Sequence, residues 1–349
     1  MSAPLGEHTG SPNMENNMRR ITRDRVISLL LIAPSVLAIL LFVYGFIAFT
    51  GFSSFTKWDS LTPDFSFVGW RNYIKLFGTS PTDRFLCDLR NTVTFTVLFL
   101  AGCIVIGLGL AVLLDQKIKG EGIFRGIFLF PMAISFVVTG VAWRWLLSPG
   151  TVQTGSSGVN LLFQKVGLGF LRWGWFTDPT IWHIPPESGV GLFLKQIGLG
   201  GLASPYVGVS LAMISVVIAA IWQMSGYVMA MYLAGLRGIP EELREAARVD
   251  GATEIQMYRH IILPLMQPIT LSAVIVLGHI SLKIFDLVVS MTGPGPAFAT
   301  DVPAFYMWDT TFRGNNFAQG AAIATILLIM VAVLIVPYLA YTTRTEAEL

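Results

Sequence analysis

Residues 240–264, PEELREAARVDGATEIQMYRHIILP, are the longest polar interruption in the second half of an otherwise apolar chain. Pro240 suits a first helical turn, and Glu241 and Glu242 suit the positive end of a helix dipole. Leu243, Ala246, Ala247, Val249 and Asp250 continue a short helix whose adjacent alanines leave its backbone open to close approach. Gly251 breaks that helix, and a second segment runs to Leu263 and Pro264, where the next apolar run begins. A short charged helix with a small-residue patch, slung between two apolar spans, reads as a docking element for another protein.

The composition sets the context. Of 349 residues, 54% are hydrophobic and 13% charged, which excludes an ordinary soluble domain and indicates a polytopic, all-α membrane protein. A net charge of +2 gives no basic patch for nucleic acid. Cys87 reads as part of a polar loop and Cys103 as part of a span, so neither a disulfide nor a metal site follows. The histidines, His8, His183, His260 and His279, are scattered without metal-ligand spacing, and no serine sits in a nucleophile elbow. On these residues the chain reads as not an enzyme. It has no Gly-Lys dipeptide, hence no phosphate-binding loop, and any ATP must be handled by another chain.

Six runs are long enough to cross a bilayer: 26–52, 91–114, 123–147, 207–236, 267–291 and 317–341. The first is too long for a cleavable signal core and lacks a small-residue cleavage site. Gly226 in the fourth suggests a tilt or kink. Twelve of the 23 basic residues crowd the short segments on one side: Arg19, Arg20, Arg23, Arg25, Lys117, Lys119, Arg125, Arg237, Arg244, Arg248, Arg259 and Arg344. That density places both termini and the 240–264 loop in the cytoplasm. Residues 1–18 read as disordered. On the other side, FVGWRNYIKLF (67–77) reads as an amphipathic helix along the outer surface. Trp143, Trp145, Trp173, Trp175 and Trp182 read most simply as an interfacial belt, with sugar stacking as the alternative for one of them.

Glu245-Ala246-Ala247, three residues, Gly251, nine residues, Ile261, one residue and Leu263-Pro264 resemble, at every position, the coupling-loop motif of permease subunits in binding-protein-dependent ABC importers. Residues 33–59 followed by 67–77 are similar to the opening of the maltose-type, sugar-importing branch, on its first-permease side. Residues 124–150 and 283–300 resemble that branch's third span and the Gly-Pro turn after its fifth. Residues 174–205 depart from the pattern as a longer connection.

This resemblance implies a type I ABC importer permease fold with six transmembrane helices. It implies a cytoplasmic tail over 1–25, a first helix and outer segment over 26–90, and five helices with the coupling loop over 91–342. A cytoplasmic tail, 343–349, would follow, and the chain would sit in a prokaryotic inner membrane. The implied partners are a second permease subunit, two ABC ATPases and an extracytoplasmic sugar-binding protein. No cofactor would sit on this chain, with ATP and Mg on the partner ATPase. Glu241, Glu242, Glu245, Ala246, Ala247, Asp250, Gly251, Ile261, Leu263 and Pro264 would form the ATPase-coupling set.

Polar residues inside spans mark candidate substrate contacts. In the fourth these are Trp222, Gln223, Ser225 and Tyr227; in the fifth, His279 and Ser281. By the resemblance, Tyr227 and Ser281 fall at sugar-facing positions, while hydrogen bonding within the helix bundle is the competing role for each. Lys283 and Asp286, three apart, read as a structural ion pair. A self-contained secondary transporter is the main alternative, but the internal repeat or paired mid-membrane ionisable groups typical of that class are not evident. An intramembrane enzyme lacks a His or carboxylate cluster. Within the importer reading a peptide or polyamine permease is the runner-up, and the opening segment and the turn beginning KIFDL (283–287) favour a sugar over those.

Overall fold

The computed structural model describes residues 28–78, 83–116, 118–151, 153, 155–203 and 207–347. The N-terminal tail with its arginines, His8 and Lys117 lie outside these. The chain divides into two compact units, one ending at Ser53 and one beginning at Ser54. The outer segment grouped by sequence with the first span thus belongs to the larger unit.

The first unit is helix α1, Ser28–Ser53, with a π-helical stretch at Leu40–Gly45. It is apolar along its length, and Leu31, Leu41 and Phe42 are each more than 60% exposed. A helix apolar all round finds its solvent in lipid or in another protein.

The second unit opens with α2, Arg71–Leu76, the expected amphipathic helix. Asn72, Tyr73 and Leu76 turn inward, while Trp70 and Ile74 stay exposed. Helix α3, Arg84–Asp115, begins seven residues before its predicted start and takes in Cys87, which is buried.

The predicted third span is not one straight helix. Helix α4, Glu121–Leu129, tightens into a 3₁₀ turn at Phe130–Ala133, and α5, Phe136–Leu146, leaves at 99°. Pro131 in the 3₁₀ turn lacks an amide donor, Ile134 is extended, and the Ser135 hydroxyl accepts the Val138 amide to start α5. Helices α6, Gly158–Lys165, and α7, Gly189–Gln196, follow, with an antiparallel pair of β1, Ile181–Trp182, and β2, Val209–Ser210.

Helix α8, Leu211–Gly238, is the centre of the bundle, with 67% of its most apolar stretch buried. It runs through Gly226 without a break in the helix. A Cβ there would overlap the Phe128 carbonyl, which makes Gly226 a packing residue for α4. Gly102 and Gly107 do the same between α3 and α8, where a Cβ would collide with Ile221 and Val228. Phe95, Phe99 and Cys103 of α3 join Val216, Val228 and Met229 of α8 in the main core.

Helix α9 is Glu241–Val249; α10 is Glu254–Leu265, with a π turn at Tyr258–Ile262; α11 is Gln267–Leu282, bent 62° from α10. The predicted fifth span therefore stops early: the backbone leaves the helix at Lys283, and α12, Asp286–Met291, restarts beyond Phe285. Helices α13, Pro303–Trp308, and α14, Phe317–Ala347, complete the chain. Among the described residues four helices are long and apolar enough to cross a membrane, or up to six when each bent pair is counted as one span.

Candidate functional site

Pro240 caps α9 from outside its first turn, at φ −56° and ψ 134°. The helix then shows two faces. Arg244 and Ala247 turn inward, and Ala247 is buried in the same main core as Leu236 and Ile262. Glu241, Glu242, Glu245, Ala246 and Asp250 are exposed, as is Val249 at 86%. The adjacent alanines thus divide their work: Ala247 seats the helix on its own protein, and Ala246 lies beside Glu245 on the free face.

Gly251 ends α9 at φ +77°, a left-handed conformation that a β-carbon opposes, with nothing within 4 Å of where that carbon would be. Thr253 and Gln256 form a reciprocal capping box that starts α10 at once. The turn is therefore tightly specified from both sides. Ile255 is exposed at 79%, while Met257 and Ile262 anchor α10 inward. Of the motif's far end, Ile261 is half-buried and Leu263 and Pro264 are exposed.

Ion pairs fasten this end of the bundle. Arg244 Nη1 donates to Asp115 Oδ2 at 2.8 Å, and Nη2 donates to the Leu236 carbonyl at 3.0 Å. Burial works against the Arg244 charge, but the Asp115 carboxylate outweighs it and holds the guanidinium pKa above its ordinary value. Arg237 donates to Glu121 at 2.6 Å, joining α8 to α4. Arg248 meets Glu254 at 3.3 Å and Glu241 at 3.7 Å, all three well exposed.

The candidates inside the spans separate into enclosed and accessible groups. Gln223 is buried and donates to the Ile134 carbonyl at 2.6 Å, so it braces the bend between α4 and α5. Ser281 is fully buried; it accepts from the Thr96 hydroxyl at 2.9 Å and donates to the Gly278 carbonyl at 2.8 Å. Ser225 is also buried. Trp222 is 40% exposed and meets Trp143 edge-on at 5.8 Å. Tyr227 and His279 are half-buried.

The predicted Lys283–Asp286 ion pair is not among those formed by the described residues. The helical spacing it relied on is lost where the chain breaks between them. Of the predicted belt, Trp143 and Trp175 pack against the core, and Trp175 donates to Asn160 at 2.9 Å. Trp145 and Trp182 remain more than 70% exposed.

A polar cluster at the opposite end of α3 was missed by sequence reasoning. Arg84 donates to Asp301 and to Asp309, each at 2.6 Å, and lies 4.3 Å from the Tyr306 ring centre. Asn91 donates to the Phe298 and Asp301 carbonyls at 2.8 and 2.9 Å. These bonds hold a loop in which Ala297 and Phe298 both have positive φ. Burial raises the pKa of Asp301, against the pull of Arg84. The partners are more than 200 residues apart in sequence, so local spacing carried no signal for them.

Comparisons with known proteins agree on a family. A family model described as binding-protein-dependent transport system inner membrane component matches residues 103–344. A probable ABC transporter permease of Pyrococcus horikoshii is 41% identical over 330 residues, spanning 94% of this chain and 99% of that protein. A xylose/arabinose import permease of Haloferax volcanii is 35% identical over 86% of this chain and 82% of its own length. The crystal structure of a bacterial ABC transporter involved in import of the acidic polysaccharide alginate matches with a TM-score of 0.69. That match covers 94% of this chain and 99% of the other at 20% identity, and bears on the fold.

Proposed function

The chain belongs to the family of binding-protein-dependent transport system inner membrane components, and from that premise we propose that it conducts a sugar or related polyol through an ATP-driven importer. The observation that carries the reading is the free face of α9. Glu245 and Ala246 stand exposed on a short helix, ended by a left-handed glycine and seated on the core by Ala247. An exposed carboxylate beside a small residue suits a cleft in a partner that supplies a basic or hydrogen-bonding group.

In this reading the partner is an ABC ATPase, which binds ATP and Mg, and the 240–264 loop and both termini are cytoplasmic. The remaining partners are a second permease and an extracytoplasmic binding protein. The xylose/arabinose relative and the sugar-like opening segments favour a carbohydrate as cargo. Trp222 and Tyr227 are the path candidates a solute meets without repacking; Gln223, Ser225 and Ser281 support the path from behind.

The test is co-purification from a native host in mild detergent, comparing the parent with Glu245→Lys. An ATPase and a second permease should accompany the parent. The variant should remain in the membrane, lose the ATPase and lose sugar uptake by on the order of tenfold or more. Parent-level uptake and ATPase recovery in Glu245→Lys would sink the docking assignment.

A further inference from the structure

The carboxylate of Asp115 lies on the last residue of α3, where the helix dipole is already negative, and the Leu236 carbonyl belongs to the last turn of α8. Two negative helix ends and a carboxylate therefore converge on one place. The group that meets them is the Arg244 guanidinium, which comes from α9. Arg244 is 12% exposed and Asp115 9%, so water screens the pair poorly.

The other charged contacts at this end do not do the same. Arg248 pairs only within the loop, through side chains more than half exposed, and such pairs contribute little. Arg237 joins α8 to α4 and leaves α9 out. Ala247 does touch the core, but an apolar contact of one methyl group lets a helix slide or roll. A planar guanidinium with separate donors aimed at acceptors on two helices fixes both separation and angle.

We propose that Arg244 is a positioning residue that makes α9 move as one piece with α3 and α8, so that displacement of the docked loop reaches the membrane helices. This rests on the docking role proposed for α9. Arg244 turns away from the free face of the helix, so its work is transmission and not attachment.

The experiment uses the complete importer, purified and reconstituted in liposomes, with Arg244→Ala, Asp115→Asn, the double variant and Arg244→Lys. The ATPase should co-purify with all four. Maximal uptake should fall on the order of tenfold in each of the first two, with the half-saturating concentration of binding protein unchanged. The double variant should be no worse than the worse single, because both remove one link. Arg244→Lys, which keeps the charge but not the fork, should retain more uptake than Arg244→Ala.

Parent-level uptake in the single variants, or losses that add in the double, would overturn the proposal. Loss of the ATPase from Arg244→Ala would do so as well, by placing the residue in the docking contact. Absence of the ATPase from the parent complex would instead remove the docking reading beneath it.

Discussion

Replacing Arg84 with methionine keeps most of the side chain's bulk and deletes its charge. Asp301, with a side chain 0% exposed, then loses the guanidinium that meets it at 2.6 Å, while Asp309, 24% exposed, retains access to water. Opposite charges about 4 Å apart attract by about 4 kcal/mol at an effective dielectric of about 20. Desolvation offsets much of that in the intact pair, but removing one partner of a buried pair costs about 3–5 kcal/mol. The variant should therefore melt well below the parent in detergent, followed by a thiol-reactive dye that reports exposure of the buried Cys87 and Cys103.

Arg313→Met is the control. Arg313 is 66% exposed, 3.6 Å from Asp309, and its loss should cost at most about 1 kcal/mol. The deficit of Arg84→Met should also depend on pH. Burial already raises the Asp301 pKa above 3.8; without Arg84 the Val302 amide still opposes that rise, while Asp309 pushes the same way as burial. A carboxyl with a raised folded-state pKa favours the fold when protonated and loses that contribution as pH rises through the folded value. The deficit should thus be larger at about pH 8 than at about pH 5. Equal melting of Arg84→Met and Arg313→Met, with no pH dependence, would refute the buried-pair reasoning.

Gly226→Val should destabilise by about 1–3 kcal/mol, because its β-carbon meets the backbone carbonyl of Phe128; Gly109→Val, with nothing within 4 Å, should melt at or above the parent. Gly251→Ala should cost about 1–2 kcal/mol through its φ of +77° alone, read as faster proteolysis of the loop, with Gly251→Asn milder.

The long apolar runs and the 240–264 loop were legible because each rests on local sequence. Helix propensity, a glycine where a left-handed residue is needed and the Thr253–Gln256 cap all act within a few positions. The interruptions inside spans were less visible. Pro131 and Ser135 are the sequence trace of the 99° turn, but in a uniformly apolar stretch they do not outweigh the hydropathy of their neighbours. The break at Lys283 has no proline or glycine at all, so a helix through Asp286 was the natural reading. Ser281 and Gln223 show the same limit in side chains: both are polar and buried, and only their partners on other elements, Thr96 and Ile134, distinguish bracing from solute contact.

The Arg84 cluster also bears on how the protein is made. Helix α3 enters the membrane early in synthesis, with Arg84, Asp88, Arg90 and Asn91 at its leading end. Asp301 and Asp309 follow 217 and 225 residues later. Until the ribosome has delivered nearly the whole chain, Arg84 has Asp88 one turn away but neither Asp301 nor Asp309, and a charged side chain in lipid costs several kcal/mol. The start of α3 should therefore stay at the aqueous boundary during synthesis and reach its final depth only once Asp301 and Asp309 have been made. Truncated chains ending before Asp301 should leave that helix shallower in the bilayer than the finished protein does.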